Sequence, residues 1–235
     1  MGKDCKITII TPTTGRSSLY RLFDSLESQS IDWVHILLWD SKREGDFLFP
    51  NLETYKVSHP SDLACLTQRG IRYCIDIPGY MVKGKAAGSA LRAVGLMAAN
   101  TPYVTFADDD VWYENNHLET LMNVVDGKNW GYCRRNIWAN KDECLGVDNF
   151  ESVGDSADRK VPYEMVDNNS MIFSRRFGSS ASVLYRETED YNDDRLMYDF
   201  LKKHAGDPGK TKKATVNQIC PSRLEKMFRS NCDLS

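Results

Sequence analysis

Signatures of metal-fingered, disulfide-framed and membrane-spanning proteins are missing from this chain. Its seven cysteines (Cys5, Cys65, Cys74, Cys133, Cys144, Cys220 and Cys232) form no Cys-x-x-Cys pair, and it has only four histidines. That excludes a zinc site of the usual spacing and gives no even set of cysteines to staple a secreted fold. The simplest home for such thiols is a reducing cytosol. No segment approaches the roughly 18 apolar residues a spanning helix needs. The N-terminal apolar run, Ile7 to Ile10, lies between the charges of Lys3, Asp4 and Lys6 and the pair Thr11-Pro12, too short for the core of a secretory leader. The expectation is a cytoplasmic chain whose membrane attachment, if any, is peripheral. Charge of one sign is also scarce: a formal net charge of −3 gives no general attraction to nucleic acid. The short basic cluster of Lys210, Lys212 and Lys213 reads as a solvated linker.

Two phosphate-binding loops are absent as well. A dinucleotide fold would place G-x-G-x-x-G after the first strand, where this chain has Thr13-Thr14-Gly15-Arg16. The stretch from Gly79 to Gly84-Lys85-Ala86 is one residue short of a P-loop: Ala86 has no hydroxyl for Mg²⁺, and the stretch would follow the third strand.

What is present is an alternation of strand and helix signals, which argues for an α/β domain with a mixed, mostly parallel central sheet flanked by helices. Lys6 to Ile10 reads as the first strand, and Thr11 to Arg16 as a small-residue loop. A helix capped near Ser17 or Ser18 carries Leu19, Leu22, Phe23 and Leu26 at helical spacing. Trp33 to Trp39 is a nearly all-apolar strand, hence central, with Asp40 at its end. Lys42 to Pro60 is irregular; a helix is expected from about Ser61 to Gly70 and a strand over Tyr73 to Ile77. Ala87, Ala90, Leu91, Val94 and Ala98 mark a further helix, and Asn116 caps another with Leu118, Leu121, Met122 and Val125 inward and Gly127 closing it. In the second half, Trp130 to Trp138 and Ser170 to Ser174 read as strands, and the polar run Ala139 to Tyr163 as a mobile loop. A late helix opened by acids is expected to turn Leu196, Phe200, Leu201 and His204 to one side. The expected organisation is one domain over 1–206 and a C-terminal linker or appended helix over 207–235.

The chain is organised around Tyr103-Val-Thr-Phe-Ala-Asp-Asp-Asp110, an apolar strand ending in three carboxylates. On extended backbone Asp108 and Asp110 share a face about 7 Å apart. Two such charges repel by about 2 kcal/mol at an effective dielectric of about 20. A divalent cation relieves that repulsion, and hard oxygen ligands in this number suit Mg²⁺ or Mn²⁺, completed by substrate phosphates and water. A second acid cluster, Glu187 to Asp194, sits at a helix start, where acids also serve the helix dipole.

Taken together, Ile7-Thr-Ile-Ile-Thr-Pro-Thr-Thr-Gly-Arg16, Asp40, Gly84…Arg92…Gly95, the Tyr103 to Asp110 run and Asp193-Asp194 resemble nucleotide-sugar glycosyltransferases of the GT-A fold, family 2 type, over about residues 5 to 206. The resemblance implies a hexosyl-type transferase taking a nucleotide-diphosphate sugar, a UDP-sugar by preference, and passing the sugar to a glycan, glycolipid or glycoprotein hydroxyl. Thr11, Pro12, Thr13, Gly15 and Arg16 would line the nucleotide, Asp40 would bond its base, and Arg92 would approach the diphosphate. Asp108 and Asp109 would hold the donor within the equivalent of the family's DxD element, with Asp109 or Asp110 as the ligand of Mn²⁺ or Mg²⁺. The family often has Arg-Asn where this chain has Arg92-Ala93. The catalytic base would be Asp194 or Asp193, or else fall in Glu189-Asp190; spacing to Leu201 and Gly206 favours Asp194.

The chemistry asks for these parts. A divalent ion stabilises charge on the leaving diphosphate, and a carboxylate takes the acceptor's proton. One base and one metal imply inversion by direct displacement. Three other functions compete: a sugar nucleotidyltransferase, for which Thr13 to Arg16 is a poor version of the glycine-rich basic loop; the P-loop ATPase; and a non-catalytic carbohydrate-binding module.

Overall fold

The computed structural model describes residues 6–40, 64–66, 70–77, 87–157, 159–185, 193–220 and 222–232. In chain order these form β1 (Ile7–Thr13), α1 (Leu19–Glu27), β2 (Trp33–Trp39), β3 (Ala64–Leu66), β4 (Gly70–Asp76), α2 (Ala87–Ala98), β5 (Tyr103–Phe106), β6 (Val111–Tyr113), α3 (His117–Val124) and β7 (Trp130–Asn140). There follow β8 (Glu143–Val147), β9 (Met171–Ser174), α4 (Gly178–Ser182), α5 (Asp193–His204), β10 (Gly209–Ile219) and α6 (Ser222–Cys232). The stretch 42–60, expected to be irregular, and the near-P-loop at 79–86 lie outside the described residues.

One mixed sheet orders the strands β3-β4-β2-β1-β5-β9-β7-β10-β6, with β8 paired to β7. Its N-terminal half, β4-β2-β1-β5, is wholly parallel. Both β1 and β2 are covered on two faces, which is why neither alternates: every residue of β1 is buried. On one face α1 and α3 bring Leu19, Leu22, Leu26, Leu118 and Leu121 against Ile7, Ile9 and Leu37. On the other, α2, α4, the 3-10 turn after it and α5 cover Ile10, Phe106 and Phe173 with Leu91, Ala181, Tyr185, Tyr198 and Leu201. No described helix is long and apolar enough to cross a membrane.

Helix and sheet approach one another closely at Gly95, where a Cβ would lie 2.4 Å from Ile10 Cγ2 and 2.8 Å from Leu38 Cδ1. Ile10 is β-branched and held in a strand, so it has little room to yield. Gly95→Ala is therefore expected to destabilise by about 1–3 kcal/mol through overpacking, despite alanine's better helix propensity. A urea titration reads the loss, and a gain in stability would contradict this packing.

Several expectations change. β1 runs three residues past Ile10, pairing Thr11, Pro12 and Thr13 with Leu37, Leu38 and Trp39, because β2 is long enough to carry the ladder on. The helix expected from Ser61 to Gly70 is replaced over its described residues by β3 and the first residue of β4, Gly70; β3 pairs Ala64, Cys65 and Leu66 with Tyr73, Arg72 and Ile71. Short apolar runs suit either state, and the open edge of β4 decides. The polar run after Trp138 forms the β7–β8 hairpin and then a hydrogen-bonded segment: the fully buried Asp148 carboxylate accepts N–H groups of Phe150 at 2.8 Å, Glu151 at 3.2 Å and Ser152 at 3.2 Å. In α5 the inward residues are Met197, Tyr198 and Leu201, while Leu196 and His204 are exposed. Rings of β7 set that rotation, Tyr198 packing edge-on to Trp130 at 5.5 Å and Tyr132 at 6.4 Å. The stretch after Asp207, expected as linker or appended helix, gives β10, which enters the sheet between β7 and β6, and then α6. Its alternating lysines had masked the strand: they lie on an exposed first half, and the buried Thr215, Val216 and Asn217 carry the pairing.

Candidate nucleotide and sugar site

The carboxyl ends of the parallel strands β1, β2 and β5 meet where ligands bind in open α/β sheets. Thr13 ends β1, and its hydroxyl donates to Asp109 Oδ2 at 2.7 Å while accepting the Gly15 N–H at 2.9 Å. Gly15 turns the chain with φ +87°, a conformation glycine adopts without strain, and so brings Arg16 back over the acids. Arg16 Nη1 lies 3.3 Å from both Asp109 Oδ1 and Asp110 Oδ2. Asp40 is buried at the end of β2, and its N–H donates to the Thr13 carbonyl at 3.0 Å. Thr11 is engaged within the sheet instead, its fully buried hydroxyl bonded to His35 Nε2 at 2.9 Å.

The three aspartates do not continue the strand. β5 ends at Phe106, and a turn closes with the Val111 N–H on the Asp108 carbonyl at 3.3 Å. The expected extended spacing of Asp108 and Asp110 is thus replaced by a fan, each carboxylate facing its own partners, which separates charges that a strand would stack. Asp109 and Asp110 face Arg16. Asp108 faces the opposite way, ion-paired with Arg92 and bonded by Asn169 Nδ2 at 3.1 Å, while its own N–H donates to Asn169 Oδ1 at 2.6 Å.

Arg92 joins the two acid clusters. From α2 it pairs with Asp108, and its Nη1 lies 3.6 Å from Asp193 Oδ2 at the start of α5. Asp193 also accepts a short hydrogen bond from Ser89. Burial works against the charge on Arg92, but the carboxylates of Asp108, Asp194 and Asp193 outweigh it and hold its pKa above the ordinary arginine value. Asp194, next along α5, accepts the Asn168 N–H at 3.2 Å. Burial pushes its carboxyl up to about 8, with Asp167 and Asp108 adding to the rise and Arg92 and Arg135 opposing it. Some accessible surface remains on Asp194, leaving its proton a way out. Glu189 and Asp190 lie outside the described residues.

The residues at the turn fit a hard divalent ion. Asp110 Oδ1 is buried with no hydrogen-bond partner among the described residues. Burial, then the charges of Asp108 and Asp109, push the Asp110 carboxyl up to about 6, and burial likewise raises Asp109. A cation would relieve both. Among the described residues no three His, Cys, Asp or Glu side chains converge on one point. An ion here would therefore complete its shell from ligand phosphates and water, the usual arrangement for Mg²⁺.

Sequence patterns missed the third side of this site. Asp167 caps a 3-10 turn, Asn168–Ser170, leading into β9, and Tyr185 donates to Asn168 Oδ1 at 3.1 Å. The available signal was an amide-rich run placed directly before a strand. The buried Arg135 gave none, since an alternating strand hides a single inward charge.

An open sheet with an acidic turn after the fourth parallel strand and a late acidic helix start has the architecture of a GT-A glycosyltransferase fold. The same architecture is seen in crystal structures of S. aureus TarS. TarS 1–349 is 15% identical with a TM-score of 0.66, over 96% of this chain and 64% of that one. TarS 1–349 in complex with UDP-GlcNAc is also 15% identical with a TM-score of 0.66, over 92% of this chain and 59% of that one. TarS itself is 14% identical with a TM-score of 0.60, over 95% of this chain and 38% of that one. The chain thus spans less than two thirds of the length of these structures. No protein-family profile and no curated protein matches its sequence.

Proposed function

We propose that this chain is a nucleotide-sugar glycosyltransferase that takes a UDP-sugar, requires Mn²⁺ or Mg²⁺, and transfers the sugar with inversion to an acceptor hydroxyl. The observation that carries this reading is the convergence, through Arg92, of the Asp108–Asp110 turn at the strand ends with the Asp193–Asp194 helix start. The similar fold of a protein solved with UDP-GlcNAc supports the choice of donor.

In this mechanism β1's end, Gly15 and Arg16 take the nucleotide, and Asp40 bonds its base. Asp109 and Asp110 would hold the ion, which supplies Lewis-acid stabilisation of the leaving diphosphate. Arg16 lies beside these two acids, 59% of its side chain exposed, and would be available to a phosphate. Arg92, its Nη2 paired with Asp108 and its Nη1 beside Asp193, orients those carboxylates. Asp194 accepts the acceptor's proton as its oxygen attacks the anomeric carbon from the side opposite the leaving group. With a single base and no second carboxylate assigned as nucleophile, direct displacement and inversion follow.

Thermal shift with UDP, GDP or ATP, each with and without Mn²⁺, tests the class, because a ligand of the folded state raises its apparent stability. Stabilisation by UDP and Mn²⁺ together is expected; a shift with ATP alone favours an ATPase, and none with any nucleotide favours a binding module. Asp110→Ala is expected to abolish the Mn²⁺-dependent part of UDP affinity while leaving the fold intact, since it removes a crowded charge. Equal calorimetric affinities for variant and wild type would remove Asp110 from the ligand set.

A further inference from the structure

Behind the acidic turn lies a buried charge whose contacts reach the site without touching a substrate. Arg135 of β7 is 4% exposed. Its Nε donates to Asp148 Oδ2 at 2.9 Å, its Nη1 to Asp167 Oδ2 at 2.5 Å and to Gln218 Oε1 at 2.8 Å, and its Nη2 to Glu151 Oε1 at 3.0 Å. Nη2 also lies 2.8 Å from Asp148 Oδ2. The fork is thus fully used, an arrangement that lysine's single ammonium cannot copy.

Asp167 continues the chain of contacts. Arg135 holds one of its oxygens; the other, Oδ1, accepts the Asn169 N–H at 2.9 Å and Asn169 Nδ2 at 2.7 Å. Asn169 in turn exchanges two hydrogen bonds with Asp108, one to its carboxylate and one from its N–H. On its far side Arg135 gathers Asp148 and Glu151 of the segment after β8, and Ser152 Oγ accepts the Asp167 N–H at 2.8 Å. Burying a guanidinium among three acids is costly unless every contact is made, so its presence calls for a use beyond stability.

We propose that Arg135 is a positioning residue: through Asp167 and Asn169 it fixes Asp108 and the acidic turn, and ties that turn to the 148–152 segment. Asn169 is oriented as a two-way clamp only while Asp167 fixes its amide, and Asp167 is aimed only while Arg135 holds its second oxygen. Loosening Arg135 therefore releases the turn at Asp108 while leaving the strand before it paired. The consequence for donor binding rests on the glycosyltransferase reading; the physical link between Arg135 and Asp108 does not.

Residue-resolved amide hydrogen exchange on the full chain separates the two. In Arg135→Lys and in Asp167→Asn the Asp108 amide is expected to exchange about tenfold faster, the effect of losing one well-aligned hydrogen bond. The adjacent Ala107 amide, bonded to the Ile10 carbonyl at 3.0 Å in the sheet, serves as control and should not change. Unchanged protection at Asp108, or equal loss at Asp108 and Ala107, overturns the proposal, the second result marking a merely structural charge. Should Arg135→Lys fail to fold, Asp167→Asn decides, since it removes one acid from a cluster already rich in them. A parallel UDP titration with Mn²⁺ is expected to show about tenfold weaker affinity, and in transfer assays a raised donor KM with little change in kcat. Altered exchange without altered UDP affinity would sustain the relay and place the failure with the donor-site assignment.

Discussion

Asp194→Asn is expected to lower sugar transfer by roughly 10²- to 10⁴-fold while leaving UDP affinity near wild type and the fold intact, because an amide cannot take the acceptor's proton. Asparagine still offers an oxygen to the Asn168 N–H, and it suits a helix start about as well as aspartate. pH separates a base from a helix-start acid. With the Asp194 carboxyl raised to about 8 by burial and by neighbouring acids, transfer should climb with pH and level off above about 8, and the residual rate of the variant should lack that limb. Stability moves the other way. A carboxyl whose folded pKa exceeds its unfolded value of about 3.9 favours the folded state fully below about pH 4, and the contribution is lost as pH rises toward about 8. Urea midpoints of wild type should therefore fall between pH 4 and 8 relative to Asp194→Asn. Asp193→Asn and Asp190→Asn serve as companions, and full transfer activity in all three variants would place the base elsewhere.

Arg92→Met is expected to destabilise the chain by about 3 kcal/mol and to abolish donor binding with it. Breaking a buried pair by removing one partner costs about 3–5 kcal/mol. The lower end applies because the Asp108 side chain keeps 31% of its surface. Asp108 and Asp193 would be left facing one another without the cation between them. Arg92→Lys restores charge but not the fork that reaches both acids, and should recover only part of the loss. A double-mutant cycle with Asp193→Asn gives a sharper result: the two losses should fall well short of additive, since the second change removes the charge the first exposes. A loss below about 1 kcal/mol for Arg92→Met would show Arg92 to be a surface charge.

The sequence was most legible where one surface decided the pattern. β2 appears with its expected bounds, Trp33–Trp39, since a strand buried on both faces is written as an unbroken apolar run. α1 buries Leu19, Leu22 and Leu26 as its spacing foretells. It was least legible where long-range partners decided. Nothing local tells the Ala64–Leu66 run that the edge of β4 awaits it, or rotates α5 toward Tyr198 rather than Leu196. In the site, the expected aspartates lie at the expected strand end, but their turn was hidden. Whether three consecutive acids extend or fan depends on Arg16, Arg92 and Asn169, which come from three different elements. Arg92, expected at a phosphate, lies beside two carboxylates, an environment its place on α2 did not disclose.

The placement of β10 has a consequence for the order of events during synthesis. β6 follows the acidic turn directly, and its partner in the sheet is β10, with Val216, Asn217 and Gln218 paired to Tyr113, Trp112 and Val111. As a nascent chain leaves the ribosome, the parallel half of the sheet can assemble early, while β6 must wait for a strand translated about a hundred residues later. Until then the turn has no fixed exit, and the proposed donor site stays incomplete. Ligand affinity should consequently switch on late and abruptly in a series of ribosome-stalled lengths, at the point where Ile219 clears the tunnel.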